Sequence, residues 1–438
     1  MTFQRRSLEI QNEIPLSVNI WRKTPVMEQE MIPEPLVISS ETLNQIGDSS
    51  VKGDLDICVT CGQCVSRCFL THDYPDMNPR KIIRKALFGR AQEIIDSEFI
   101  WACTLCGRCT TDCPKNISMD ILIRRLRGLA WAQGKAPKRL CEGIEKIREF
   151  GNNTGVDSDE FRDTAEWIAE ECEEELQEIS EEASNVPFDR EGAEILYMPN
   201  PREYTSNPNM FQAYLKFFGH VKADWTLSSR VFDVTNWPYY LGDQEDAVAL
   251  VRAIVDETRQ LGAKILVTTE CGHGFKILRK DSEEWLGEPV DFETLSIIEL
   301  AHRYFKEGRL KLRKGAIEKT VTYHDPCNVG RKVGIFEGPR ELLRFVSANF
   351  VEMWPNRKYS ICCGGGGSVS QNTDMGSKRL EHAAIKRDQI LRTGADILTT
   401  SCQNCLTQLG DLQARYNIPV EIKSVMELVV EAIEPSTR

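Results

Sequence analysis

The sequence predicts an α + α/β protein: a helical segment built around two cysteine clusters, followed by a duplicated α/β module with parallel sheets. Three observations predict it. Eight cysteines fall in two quartets between residues 51 and 140, joined by apolar residues at helical spacing. From residue 191 onward, short apolar runs alternate with helical stretches, which is the pattern of βα units. Within that half, "LGAKILVTTECGHGFKIL" (261–278) is echoed by "TGADILTTSCQNCLTQL" (393–409) with a one-residue gap, and each copy follows a helix-patterned stretch.

Taken in order, residues 1–50 are an N-terminal extension, rich in proline and polar residues and without a sustained period. Residues 51–140 form the helical domain; in the linker between its quartets, Ile82, Ile83, Ala86, Leu87, Ile94 and Ile95 predict helix. Residues 141–190 are an acidic helical linker on which Phe161, Ala165, Ile168, Cys172, Leu176 and Ile179 step by three or four. Cys172 lies on that stripe and Cys141 beside Leu140 and Ile144, so both read as small buried hydrophobes. Residues 191–318 and 319–438 are the two α/β copies, with Cys271 and Cys402 at the same strand end, where ligands of parallel sheets gather.

Composition narrows the function. A chain of 438 residues buries sizeable cores without disulfide staples. A net charge of -12 excludes a general nucleic-acid binder; the basic run "IRRLRGLAWAQGKAPKR" reads either as a solvated helix face or as a docking patch for an acidic partner. The N-terminus has no signal-type apolar run and no segment approaches the ~20 apolar residues of a membrane span. A cytoplasmic chain is therefore expected, with any membrane association made through a partner. Sixteen cysteines in a reducing compartment point to metal or redox chemistry.

"CVTCGQCVSRC" supplies Cys58, Cys61, Cys64 and Cys68, and "CTLCGRCTTDCP" supplies Cys103, Cys106, Cys109 and Cys113. In this C-x2-C-x2-C-x3-C pattern three thiolates serve one cubane and the fourth reaches the other. One [4Fe-4S] cubane is therefore expected on Cys58, Cys61, Cys64 and Cys113, and a second on Cys103, Cys106, Cys109 and Cys68. Gly62 and Gly107 suit a backbone that approaches sulfur closely. Two zinc sites are the alternative, but zinc takes four ligands and needs no doubled quartet. Phe69 stands where proline usually follows the fourth cysteine.

A second set follows in the last module: Cys327 in "HDPCNVGRK", Cys362 and Cys363 in "CCGGGG", and Cys402 and Cys405 in "SCQNC". A strained vicinal disulfide leaves three thiols unexplained, a zinc site leaves one spare, and the glycine run lacks the Lys-Ser/Thr of a phosphate loop. Five thiolates around an iron–sulfur cluster fit best, with Gly364 and Gly365 carrying the backbone past it. The chain has no GxGxxG, CxxCH or P-loop motif, so no flavin, haem or nucleotide is expected.

These motifs resemble the heterodisulfide reductase family, in its fused D-type and DsrK-like forms: a helical two-cluster ferredoxin domain followed by a duplicated CCG domain. The resemblance spans residues 50–438. It implies a non-cubane [4Fe-4S] cluster on Cys327, Cys362, Cys363, Cys402 and Cys405, where a disulfide or trisulfide is cleaved. It implies a hetero-oligomeric complex with a membrane cytochrome b-type, quinone-reactive subunit. The substrate would be a heterodisulfide or a small DsrC-like protein with C-terminal cysteines, and the chain would sit peripherally at the cytoplasmic membrane. Relatives with two complete sets carry five cysteines in the first module as well. Here only Cys271 remains, as a cleft thiol, an extra ligand or an unreactive buried cysteine.

His273 and His324 flank the repeated loops, either supplying protons near pH 7 or bonded within the fold. Arg331 and Lys332 read mainly as solvated charge. A rival reading is an electron-transfer subunit similar to those of flavoprotein 2-hydroxyacid or glycerol-3-phosphate oxidising complexes.

Overall fold

The computed structural model describes residues 55–435; the expected N-terminal extension lies outside the described residues. The chain is α + α/β, with two four-stranded, wholly parallel sheets.

In the helical domain the stretch expected to be helical forms three helices: Pro79–Leu87, Ala91–Ile95 and Phe99–Ala102. Asn78 caps the first by accepting from Lys81 N–H at 3.1 Å, with Pro79 pre-set at the first position. Gly89 at φ 69° ends it, a left-handed turn that the apolar spacing does not register. Ile82, Ile83, Ile94 and Ile95 are all buried, so the periodicity reported burial correctly while the chain folded back on itself. Gly62 and Gly107, at φ 83° and 70°, open the short helices Gln63–Arg67 and Arg108–Thr111 that carry the third cysteine of each quartet.

The first sheet comprises β1 (Ile195–Met198), β2 (Trp225–Thr226), β3 (Ile265–Thr268) and β4 (Glu293–Ser296), in the order β2-β1-β3-β4. The second comprises β5 (Ile317–Tyr323), β6 (Ser347–Glu352), β7 (Ile397–Thr400) and β8 (Glu421–Ser424), in the order β6-β5-β7-β8. The two orders are the same path traced twice, as expected of a duplication. Register aligns the copies: Leu196 pairs with Leu266 in the first sheet and Thr322 with Leu398 in the second.

All four residues of β1 are buried because successive side chains serve different cores. Leu196 and Met198 join the core of the helical domain; Ile195 and Tyr197 join the core shared with the second sheet. The acidic segment is part of this architecture rather than a free spacer: Phe161 stacks on Phe232 at 4.2 Å, and its stripe lies in the same core as Tyr197. Cys172 is buried there, and Cys141 is half-buried with its thiol 3.3 Å from the Pro137 carbonyl.

The carboxyl edges of the two sheets meet. Gln403 N–H donates to the Glu270 carbonyl at 2.7 Å, Val425 N–H to Glu270 Oε1 at 3.2 Å, and Tyr214 OH to Glu270 Oε2 at 3.0 Å. Loops from both modules therefore open into one place.

Candidate metal centre

Two cavities lie within the helical domain. One is lined by Cys58, Cys61, Cys64, Cys109 and Cys113. The other is lined by Cys68, Cys103, Cys106 and Cys109. The fourth cysteine of each motif thus faces the other motif's cavity. Burial, then the neighbouring Cys113, Cys58 and Cys61, pushes the Cys64 thiol up to about 11; burial and Cys103 push Cys68 up to about 12. All sixteen cysteines are free, and of these Cys61 is exposed. Cavities walled by unbridged thiols fit iron–sulfur clusters, whose sulfide-rich cores take thiolate donors.

The remaining set gathers where the two sheets meet. Cys327 opens the segment Cys327–Lys332 just after β5; Cys362 and Cys363 lie on the loop after β6. Cys402 caps the helix Gln403–Tyr416 after β7, with Cys405 in its first turn. Cys271 caps Gly272–Lys276 after β3 in the other module, and a Cβ on Gly272 would stand 3.5 Å from Cys402 Sγ. A ring nitrogen of His324 and the Cys363 and Cys405 sulfurs lie within 4.8 Å of one another. Cys362 and then Cys405 beside it hold Cys363 well below the usual thiol range. Five thiols at strand ends, again unbridged, fit an iron–sulfur group.

The four glycines do more than accompany it. Gly364, at φ 99°, donates its N–H to Cys362 Sγ at 3.4 Å. A Cβ on Gly365 would meet Gln408 at 2.7 Å, and one on Gly366 or Gly367 would meet the Thr104 backbone at 2.8 Å. The loop is pressed between the helix Gln403–Tyr416 and the second cysteine quartet. In consequence Cys362 hydrogen-bonds Thr104 Oγ1 at 3.3 Å and neighbours Cys106, whose thiol Cys362 and burial push well above its usual range. Two of the three cysteine sets touch.

Buried cations hold this junction. Arg127, expected on a basic surface, has no exposure; it donates to the carbonyls of Ile100 (2.7 Å), Cys103 (2.8 Å), Tyr240 (3.0 Å) and Gly367 (2.9 Å). Arg124 is likewise buried, stacked over Tyr239 at 4.4 Å. Arg331 and Lys332 are also not solvated: Arg331 donates to the Cys106 carbonyl at 2.8 Å, and Lys332 pairs with Asp120 at 2.7 Å.

The histidines are bonded within the fold. His273 Nε2 accepts from Asn236 N–H at 3.1 Å, which leaves the ring proton on Nδ1, 3.5 Å from Cys271 Sγ. Burial, then the Arg202 cation, pushes His273 down to about 3, so it is neutral at pH 7 and the expectation of a proton source there gives way to a fixed neutral partner. His324 Nδ1 faces Lys386 Nζ at 3.1 Å, and the ring also lies against Cys363.

A cleft of about 470 Å³ opens onto Cys271 and Cys402, flanked by Arg202, Trp237, His273 and Asn404. Arg202 and Lys386 were not singled out from the sequence. Lys386 had a visible signal, a charge on the stripe shared with Ala383 and Ile390; Arg202 had none.

Residues 54–117 match the 4Fe-4S dicluster domain family, and residues 321–410 match the cysteine-rich domain family CCG. The chain therefore carries a 4Fe-4S dicluster domain and a cysteine-rich CCG domain, and it is similar along most of its length to heterodisulfide reductase subunits. It is 28% identical over 412 residues to a subunit of the dihydromethanophenazine:CoB–CoM heterodisulfide reductase of Methanosarcina barkeri, covering 88% of this chain and 95% of that one. It is 24% identical to the Hdr-like menaquinol oxidoreductase iron–sulfur subunit 2 of Archaeoglobus fulgidus, covering 88% and 80%. It is 22% identical to the EtfAB:quinone oxidoreductase of Syntrophomonas wolfei, covering 87% and 58%. Among the described residues, no helix is long and apolar enough to cross a membrane.

Proposed function

We propose that the chain passes single electrons through two cubane [4Fe-4S] clusters to a non-cubane [4Fe-4S] cluster, where a disulfide or trisulfide is reduced. For a disulfide the balance is R–S–S–R′ + 2 e⁻ + 2 H⁺ → RSH + R′SH, with the electrons drawn from a partner subunit. The cubanes are assigned to Cys58, Cys61, Cys64, Cys113 and to Cys68, Cys103, Cys106, Cys109. The third cluster is assigned to Cys327, Cys362, Cys363, Cys402 and Cys405. When bound, these clusters supply one-electron transfer and, at the third site, iron with affinity for sulfur.

The observation that carries this reading is the contact of Cys362 with Cys106 and Thr104, which joins the electron path to the site beside the cleft. The cleft admits the disulfide to Cys402 and Cys271, and Arg202 at its wall attracts an anionic group on it. His273 orients the Cys271 thiol, and His324 lies against Cys363. The names of the Methanosarcina and Archaeoglobus relatives support a quinone-like electron partner, for which a membrane cytochrome b-type subunit is the proposed source. The chain then works on the cytoplasmic face of the membrane, within a hetero-oligomeric complex.

An anaerobic iron count on the full chain, together with reduction of a supplied disulfide by dithionite-reduced protein, tests the proposal. About twelve iron atoms per chain with stoichiometric thiol release is expected. About eight, with only cubane signals, would overturn it. The Syntrophomonas relative favours a second reading, electron transfer from a flavoprotein to quinone. Under that reading an electron-transfer flavoprotein reduces the clusters while disulfides stay intact.

Cys271→Ser separates the roles of that residue. With Cys271 as a cleft thiol, the variant keeps its full iron content and third-cluster EPR signal while thiol release slows by about tenfold or more, the range of a lost acid–base or nucleophilic group. An unchanged rate with altered EPR would make it a ligand instead.

A further inference from the structure

Lys386, on the helix Ala384–Leu391, has no exposed surface. Its ammonium donates to Gln389 Oε1 at 2.5 Å, approaches His324 Nδ1 at 3.1 Å and lies 3.6 Å from Met353 Sδ. None of these partners is an anion. Two other interior cations are paired with carboxylates, Lys332 with Asp120 at 2.7 Å and Arg340 with both Asp325 and Glu352, while Arg127 is met by four carbonyls. Asp325, which adds a weak pull on Lys386, is held by both Arg340 nitrogens at 2.6 and 2.7 Å and by Arg357 N–H. Among the described residues, Lys386 has no carboxylate in ion-pair contact. A buried ammonium costs several kcal/mol unless a counter-charge compensates it. A methionine would fill the same space at no such cost.

We propose that Lys386 is the built-in counter-charge of the five-cysteine site, acting on Cys363 through His324 and raising the reduction potential of the cluster held there. This rests on the reading that those cysteines bind an iron–sulfur cluster. Metal binding requires deprotonated thiols, so the loaded site is rich in negative charge and each added electron increases it. A fixed cation one imidazole away stabilises that reduced form, because Lys386 contacts His324 Nδ1 and the same ring lies against the Cys363 sulfur. Burial lowers Lys386 to about 8, while Cys363, Cys362 and Cys405, in that order, favour its charged form.

The duplication supplies an internal control. Counting back eight residues from the left-handed glycines that precede β3 and β7, Gly262 and Gly394, gives Ile254 in the first module and Lys386 in the second. By strand register, Met198 of the first module stands where His324 stands, and Pro201 where Cys327 stands. The module without the cysteine set has apolar residues at both positions, and Ile254 and Met198 are buried. The lysine–histidine couple therefore occurs with the cysteines and not with the fold as such.

The test uses the full, cluster-loaded chain, with Lys386→Met and Lys386→Arg followed by EPR-monitored redox titration and melting. Poised at the wild-type midpoint of the third cluster, Lys386→Met is expected to lower its reduced-to-oxidised ratio by about tenfold or more, whereas Lys386→Arg stays within about threefold. The two cubanes should be unchanged in both. If Lys386→Met drops the third cluster while Lys386→Arg keeps it, the charge is again what matters. A wild-type ratio in Lys386→Met overturns the proposal, as does equal loss of the cluster in both variants, which would make the site one of shape alone. Wild-type protein with about eight irons would instead remove the cluster reading on which the proposal rests.

Discussion

Cys363→Ala is expected to give a folded chain that retains two cubanes, loses the third cluster and no longer releases thiol from a disulfide. Cys363 touches Cys362, Cys405 and His324, so its removal takes a donor from the centre of the set rather than from its rim. The alanine is tolerated sterically because it only shortens the side chain, and the quartets are walled by other residues. Iron should fall from about twelve to about eight per chain, and disulfide reduction by at least about a hundredfold, to the level of dithionite alone. Iron analysis, EPR and thiol titration read this together. Retained activity with eight irons would move the chemistry away from the five-cysteine site.

Arg127→Met should produce the largest loss of stability. One guanidinium satisfies four buried carbonyls from three separated regions: Ile100 and Cys103 in the helical domain, Tyr240 in the first module and Gly367 in the glycine loop. An unsatisfied buried acceptor costs about 1–3 kcal/mol, so about 4 kcal/mol or more is expected in total, with a melting temperature lower by roughly 5–10 °C. Arg127→Lys should recover only part of this, since a single ammonium lacks the planar fork that reaches several acceptors at once. The loop that Arg127 holds also carries Cys362, so electron transfer from the second cubane to the third cluster should slow in parallel. Differential scanning calorimetry and stopped-flow reduction check the two effects. A variant that melts as wild type would show that the junction is held elsewhere.

Both effects arise at one junction, and its parts were unequally visible in the sequence. The cysteine quartets could be read because C-x2-C-x2-C-x3-C is local: three residues per step leave few ways to arrange the sulfurs. The duplication was legible for a related reason. Two copies of one βα path preserve the strand apolar runs and the cysteine that follows them, and the sheets trace the same order twice. Apolar spacing also found the buried faces of the acidic segment, because periodicity reports which residues leave water. It could not say which partner they meet, and Phe161 turned out to serve the first α/β module.

By itself, then, the sequence determined the fold class, the doubled module and the grouping of the cysteines, all properties of short-range pattern. Only the tertiary structure decided that the glycine loop lies against Thr104, that Cys362 meets Cys106, and that Arg127, Lys332 and Lys386 are interior cations. Cys106 and Cys362 belong to different domains, far apart in the chain. A charged residue reads as surface until its counter-charge or its carbonyl partners are known, and those are brought within reach only when separately folded layers pack together.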